Sequence, residues 1–268
     1  MKLKVAIAQL ETSCFEKDMN DGKILSFIGK AREEGVNLVL FPEGANLGYI
    51  VLDGTRDRGE ILDLALEMAP SLKSSWIDIL KEEARKGIHI ACGHFLKKDD
   101  TTLVNSLVLI CPDGHVTTYD KTHLYHEKTV KEADFVQAGN ELVVAETALG
   151  KIGLSICYDL NFPEVMRKLS LNGAQIILIC AAWPEMGGRA WDMLLPARAF
   201  ENAVYLMACN QAGKGYYGHS KILDYMGNVC TQSDKKEGLK TAEIDFEKQK
   251  KWRKIITFFG DRRPELYG

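Results

Sequence analysis

Short, nearly unbroken apolar runs alternate along this chain with amphipathic stretches, the pattern of strands buried on both faces separated by helices. The first run predicts a strand over 4–10, and a helix over 24–34 follows, closed by Gly35. A buried strand over 37–41 then ends in Pro42-Glu43-Gly44. Trp76, Ile77, Leu80 and Ala84 fall on one stripe of a helix predicted over 61–86, which Gly87 stops. A strand over 88–95 comes next. Predicted strands at 103–110 and 115–119 flank Pro112-Asp113-Gly114, a hairpin turn signal.

The remainder repeats this plan. A strand over 152–156 leads to a helix over 163–172 closed by Gly173, and a strand over 175–181 ends at Trp183-Pro184. A helix over 190–203, a strand over 204–210 and a hairpin turning at Met226-Gly227-Asn228 complete the second half. The echo is local as well: Glu33-Glu34-Gly35-Val36-Asn37-Leu38-Val39-Leu40 reads like Leu171-Asn172-Gly173-Ala174-Gln175-Ile176-Ile177-Leu178. Neither half alone can cover both faces of its sheet. Two sheets packed face to face with helices outside would bury everything. The expected architecture is therefore α/β, a four-layer α-β-β-α sandwich of two similar halves with mixed sheets. It is expected to form one domain over 1–268, with a C-terminal arm at about 248–268. A single doubly wound sheet is the alternative, and the two hairpins argue against it.

Composition narrows the function classes. Of 268 residues, 46% are hydrophobic and 26% charged, and the formal net charge of −3 gives no electrostatic reason to expect a nucleic-acid partner. The basic stretch from Lys248 to Lys254 is interrupted by Gln249 and Trp252 and reads as a solvated face. The most apolar stretch, from Ala174 to Trp183, is about half of the ~20 residues that cross a bilayer. No signal segment and no membrane partner are expected. Seven cysteines form no C-x-x-C pair and no metal-like spacing with histidine, which suits reduced thiols in a cytoplasmic protein with no metal site.

Reactive groups gather where strands of open α/β sheets end. Three polar residues stand at predicted strand ends: Glu43, Lys121 and Cys157. A free thiol has a pKa near ~8.5 and needs a base or a cationic neighbour to act as a nucleophile. The helix following Cys157 would favour a thiolate through its dipole. A carboxylate can take the thiol proton, and an ammonium with the Tyr158 N–H can hold the oxyanion of a tetrahedral intermediate. Each residue also has a plainer reading: Cys157 as an inert core thiol like Cys92, Cys180 and Cys209, Glu43 as a cap or surface carboxylate, and Lys121 as a turn lysine.

Three segments taken in order resemble the nitrilase-like carbon–nitrogen hydrolase family. They are Phe41-Pro42-Glu43, Tyr119-Asp120-Lys121-Thr122-His123-Leu124 and Cys157-Tyr158-Asp159-Leu160-Asn161-Phe162-Pro163-Glu164. Family-like stretches continue at Ala197-Arg198-Ala199-Phe200-Glu201-Asn202 and Asp261-Arg262-Arg263-Pro264-Glu265-Leu266-Tyr267, so the resemblance covers nearly the whole chain. It implies a cofactor-independent hydrolase in which Cys157 attacks a carbonyl, Glu43 is base and then acid, and Lys121 holds the oxyanion. The family's second glutamate, shortly before an aromatic-x-x-x-Gly stretch, maps to Glu132 ahead of Phe135 and Gly139 rather than to Glu127. Where the family usually has arginine, this chain has Asn161, which puts loop rigidity or substrate preference near Cys157 in doubt.

The motifs are most similar to the omega-amidase and N-carbamoylputrescine amidase branches, which implies a small amide or carbamoyl substrate and release of ammonia. A nitrilase, or a non-catalytic nitrilase-like binding module, is the alternative. Expected pocket residues are Tyr49, His123, Tyr125, Tyr158 and Trp183, with the loop from Gly213 to Gly218. Trp183 could equally be a core residue beside Pro184. That loop also matches G-x-G-x-x-G, but a predicted strand follows it where a phosphate site needs a helix. His94, His123 and His219 are candidates for a Cys–His pair, with nothing local to favour it. The likeness also implies a homodimer built on 163–172 and 189–202, with the C-terminal arm crossing to the partner.

Overall fold

The computed structural model describes residues 2–126 and 131–267. Strand β1 (Lys2–Gln9) precedes helix α1 (Lys17–Glu33), which lays Ile24, Phe27, Ile28 and Ala31 on the sheet. The helix begins seven residues before the predicted start, because its first turns bury Asn20 and Asp21, which an apolar pattern does not reveal. The Asn20 amide donates to the Ser13 and Asn46 carbonyls and fixes that entry. Then come β2 (Leu38–Leu40), α2 (Arg58–Met68), α3 (Ser75–Arg85), β3 (His89–Lys97), β4 (Leu103–Ile110) and β5 (Val116–Asp120). The single helix expected over 61–86 is thus two. Pro70 follows the α2 C-cap, and the residue before a proline is steered out of the helical region.

The second half runs β6 (Val144–Thr147), β7 (Gly150–Ile156), α4 (Pro163–Leu171), β8 (Ile176–Ala181), α5 (Gly188–Asn202), β9 (Tyr205–Asn210), β10 (Lys221–Leu223), β11 (Val229–Gln232), β12 (Gly238–Asp245) and α6 (Phe246–Ile255). The two sheets have orders β12-β1-β2-β3-β4-β5 and β11-β10-β9-β8-β7-β6, with parallel centres and antiparallel edges. They face one another across a core shared by Leu38, Leu107, Leu154, Leu178 and Met207. Helices α1 and α3 cover one outer face, and α4 and α5 cover the other. This is the α-β-β-α sandwich that the repeated plan predicts. The halves are not separate, however: β12 leaves the second half and pairs with β1 from Lys2↔Asp245 to Gln9↔Gly238. Helix α6 then anchors on the second sheet's side, where Arg253 donates to the carbonyls of Ala203 and Ala174. Among the described residues no helix is long and apolar enough to cross a membrane.

His94, fully buried on β3, belongs to this scaffold. Trp76 Nε1 donates to its Nε2 at 2.9 Å, so the proton sits on Nδ1, 3.0 Å from the Cys92 carbonyl. Burial pushes its pKa down to about 4. A neutral-state preference of this sign adds stability above the unfolded-state value and loses it as pH falls through ~6.5 toward the folded one. Wild-type protein is therefore expected to lose about 3 kcal/mol more than His94→Gln between pH 7 and pH 4. The glutamine keeps an acceptor for Trp76. Parallel curves in urea titrations of the two proteins would refute this.

Candidate active site

The carboxyl ends of β2, β5, β7 and β8 meet in one place. Glu43 follows β2 in a turn whose Phe41 N–H donates to the Ala91 carbonyl and whose Ala45 N–H donates to Gly93. Only glycine fits at 93, because a Cβ there would lie 2.4 Å from the Pro42 carbonyl oxygen and 2.6 Å from Glu43 Cα. Gln211 Nε2 donates to the Glu43 carbonyl from across the sandwich. The Glu43 side chain accepts from Lys121 Nζ (2.8 Å) and Asn105 Nδ2 (2.7 Å) on Oε1, and from the Ala182 N–H (2.8 Å) on Oε2. Both sheets therefore hold it.

Lys121 leaves β5 fully buried and also reaches Glu132 Oε2 at 2.8 Å. Glu132 accepts in addition from Asn105 Nδ2 on Oε1 and from the Tyr125 N–H on Oε2. Gly139 lets the segment after Glu132 press against the lysine strand: its N–H donates to the Lys121 carbonyl, and a Cβ would stand 2.2 Å from the Asp120 oxygen. Glu127 lies outside the described residues. Asn105 and the Ala182 N–H were not among the expected participants. The one signal for Asn105 was a polar pair, Asn105-Ser106, inside an otherwise apolar strand.

Cys157 stands at the end of β7 with left-handed backbone, φ 46°. For a non-glycine residue that conformation costs of order 1–3 kcal/mol, and the next turn holds it. Asp159 Oδ2 accepts from the Ile156 N–H (2.9 Å) and from the buried Tyr119 hydroxyl (2.7 Å). Tyr119 lies two residues before Lys121, so one carboxylate ties the lysine strand to the cysteine turn. The expected α-helical N-terminus does not sit at the thiol. A 3-10 turn over Cys157–Asn161 intervenes, and α4 starts at Pro163. Burial, followed by the nearby Glu43 carboxylate, pushes the Cys157 thiol well above its usual range, with Lys121 opposing. The resting sulfur is protonated, and a base must take that proton.

Electrostatics supply one. Burial, the largest effect, raises the Glu43 carboxyl above the ordinary value, and Glu132 adds to the shift, while Lys121 opposes it. Burial disfavours the Lys121 charge, but Glu132 and Glu43 outweigh it and hold the ammonium protonated. A cation, a carboxylate with raised proton affinity and a thiol thus share one water-poor floor.

Above that floor lies a cavity of about 300 Å³. Tyr49, Tyr125, Tyr158 and Trp183 line it together with Cys157. His123 does not. It is drawn to Asp159, with Nδ1 2.8 Å from Oδ1, stacks on Phe162 at 3.9 Å and faces a neighbouring surface cavity. Its Asp159 partner and its place outside the cavity over Cys157 argue against a Cys–His pair. His219 lies beside Tyr217 and Gln232 and does not line the cavity. That loop supports the wall from behind, through backbone pairing of Tyr216 with Pro184, instead of lining it. Among the described residues no group of three or more His, Cys, Asp or Glu is placed to hold a metal ion.

Comparison with known proteins identifies the family and the fold. The model of the carbon–nitrogen hydrolase family matches residues 4–254. The 2-oxoglutaramate amidase of Bacillus subtilis is 33% identical over 100% of both chains. The deaminated glutathione amidase of Dictyostelium discoideum is 35% identical over 99% of this chain and 96% of its own length. Among solved structures, the NitFhit protein of Caenorhabditis elegans superposes with a TM-score of 0.86 at 29% identity, covering 100% of this chain and 66% of that one. A carbon–nitrogen hydrolase from Helicobacter pylori, at 22% identity, shares the fold with a TM-score of 0.87 over 100% of this chain and 97% of its own.

Proposed function

The chain belongs to the carbon–nitrogen hydrolase family and is a hydrolase of that type; from this premise we propose that it is a thiol amidase that works through Cys157, Glu43, Lys121 and Glu132 without a cofactor. The observation that carries the reading is the convergence of thiol, carboxylate and ammonium at the floor of one cavity, each on a different strand end.

In the proposed cycle Glu43 takes the Cys157 proton as sulfur attacks the carbonyl carbon. Lys121, with the Tyr158 N–H, balances the oxyanion. The tetrahedral intermediate expels ammonia, which receives its proton from Glu43, and leaves a thioester. Glu43 then deprotonates a water that releases the acid and the thiol. Glu132 holds Lys121 in place and keeps it charged. Two relatives carry amidase names, which supports an amide or carbamoyl substrate over a nitrile.

The test is ammonia release from linear amides, N-carbamoyl amines, N-carbamoyl amino acids and nitriles, with Cys157→Ser as control. Turnover of an amide class that vanishes in the variant is the expected result. Turnover of nitriles alone, or turnover that persists in Cys157→Ser, would sink the proposal.

The chain is further proposed to act as one domain in a reducing compartment such as the cytoplasm, in line with its seven unpaired cysteines. It is also proposed to form a homodimer. Helices α4 and α5 leave Leu171, Met193 and Phe200 exposed, and Phe258 of the arm packs on Phe200 at 5.7 Å within the same chain. Light scattering after size exclusion should give twice the chain mass at micromolar concentration. A monomer would refute the dimer.

A further inference from the structure

The cavity over Cys157 has walls and a floor of opposite character. Its walls are aromatic, made by Tyr49, Tyr125, Tyr158 and Trp183, with Leu52 and Met186 on the open side. Two of these rings brace each other edge to face, Tyr125 on Tyr158 at 5.4 Å, and Tyr158 in turn meets Phe162 at 5.3 Å. Trp183 is held at both ends. Its backbone N–H donates to Asn210 Oδ1 at 2.7 Å, and its Nε1 donates to the Gly187 carbonyl at 2.8 Å. These walls are set before any ligand arrives.

The floor carries two carboxylates, Glu43 and Glu132, against one ammonium, Lys121. Both carboxylates bond the one ammonium, so Lys121 is already engaged and the floor holds more carboxylates than cations. Among the described residues that line the cavity, none is charged, and position 161 on its wall is an uncharged asparagine whose Nδ2 donates to the Tyr158 carbonyl.

We propose that this site takes amides whose acyl substituent is uncharged and apolar, aliphatic or a single aromatic ring, and discriminates against amides that carry a carboxylate on the acyl chain. The inference rests on the amidase reading and goes against the direct transfer of the relatives' named substrates. An apolar acyl group exchanges water for aromatic faces, while a carboxylate entering the same space is stripped of water, finds no cation among the described lining residues to replace it and approaches a floor with two carboxylates to one ammonium. A volume near 300 Å³ lies at the small end of ligand sites and suits a short chain or one ring. Asn161, exposed at the mouth, is the specificity-determining position: a cation there would face the acyl end without touching the floor.

Pentanamide and 5-amino-5-oxopentanoate form a matched pair, equal in chain length and differing in a terminal methyl against a carboxylate. The full-length protein is expected to show kcat/KM for pentanamide at least about a hundredfold above that for the anion. Asn161→Arg is expected to shrink that ratio about tenfold or more, through a lower KM for the anion, because it supplies a bidentate partner at the wall. Equal or faster turnover of 5-amino-5-oxopentanoate by the wild-type protein would overturn the inference and leave the amidase reading standing. Cleavage of neither compound, or cleavage undiminished in Cys157→Ser, would overturn the amidase reading and this inference with it.

Discussion

Replacing Lys121 with methionine is expected to cost both turnover and stability. The side chain is fully buried between Glu43 and Glu132, 2.8 Å from each. Removing it takes away the only cation that touches the floor among the described residues and leaves two carboxylates that share the Asn105 amide and keep one backbone N–H each, from Ala182 and Tyr125. Breaking a buried ion pair from one side costs about 3–5 kcal/mol, because the remaining charge stays buried without its partner. Loss of an oxyanion donor lowers kcat by about 10²–10³. The two effects separate with pH. Burial already holds the Glu43 carboxyl above its ordinary value and Lys121 opposes that shift, so without the lysine the Glu43 contribution is fully present at low pH and is lost as pH rises through the raised value. Lys121→Met should therefore lie closest to wild type in urea midpoint near pH 5 and furthest from it near pH 8. Adding Glu132→Gln removes the repulsion and should recover part of the stability at pH 8 without restoring turnover. A variant that keeps wild-type stability at pH 8 would mean that the three charges are not coupled as the geometry has them.

Which of these groups could be read from sequence follows from how each is positioned. Glu43, Lys121 and Cys157 each interrupt an apolar run at its end, and strand ends are where an α/β sheet presents chemistry. Glu132 has no such local mark; only the resemblance singled it out, and the structure seats it against Lys121. Asn105 and the Ala182 N–H were invisible because their roles depend on how two sheets face, which no periodicity encodes. The same holds for β12, whose pairing with β1 joins residues more than two hundred positions apart. His123 was expected in the pocket, but it pairs with Asp159 and stacks on Phe162 instead. The break between α2 and α3 is marked by Pro70, and the stripe of Trp76, Ile77, Leu80 and Ala84 belongs to α3 alone. Tyr49, Tyr125, Tyr158 and Trp183 do gather at one cavity, although they come from four separate segments.

Glu43→Gln is expected to lower kcat/KM by about 10²–10⁴, the range for loss of a general acid–base group. The change removes one negative charge and no volume, yet the site has no place for an amide. Oε1 accepts from Lys121 and Asn105, and Oε2 accepts from the Ala182 N–H. Whichever way the glutamine amide turns, its NH₂ meets a donor, so one hydrogen bond becomes a repulsion and a modest fall in melting temperature accompanies the loss of activity. The pH profile separates chemistry from this structural cost. Burial holds the Glu43 carboxyl above its ordinary value. Its protonation as pH falls should therefore produce an acid limb in wild-type kcat/KM, because a protonated carboxyl cannot accept the Cys157 proton. In the variant that limb should be absent from the residual activity, and alkylation of Cys157 by iodoacetamide should be slower at neutral pH. A loss of turnover with the acid limb intact would assign the glutamine's effect to structure alone. The proton acceptor would then be Glu132, the other carboxylate bonded to Lys121 among the described residues.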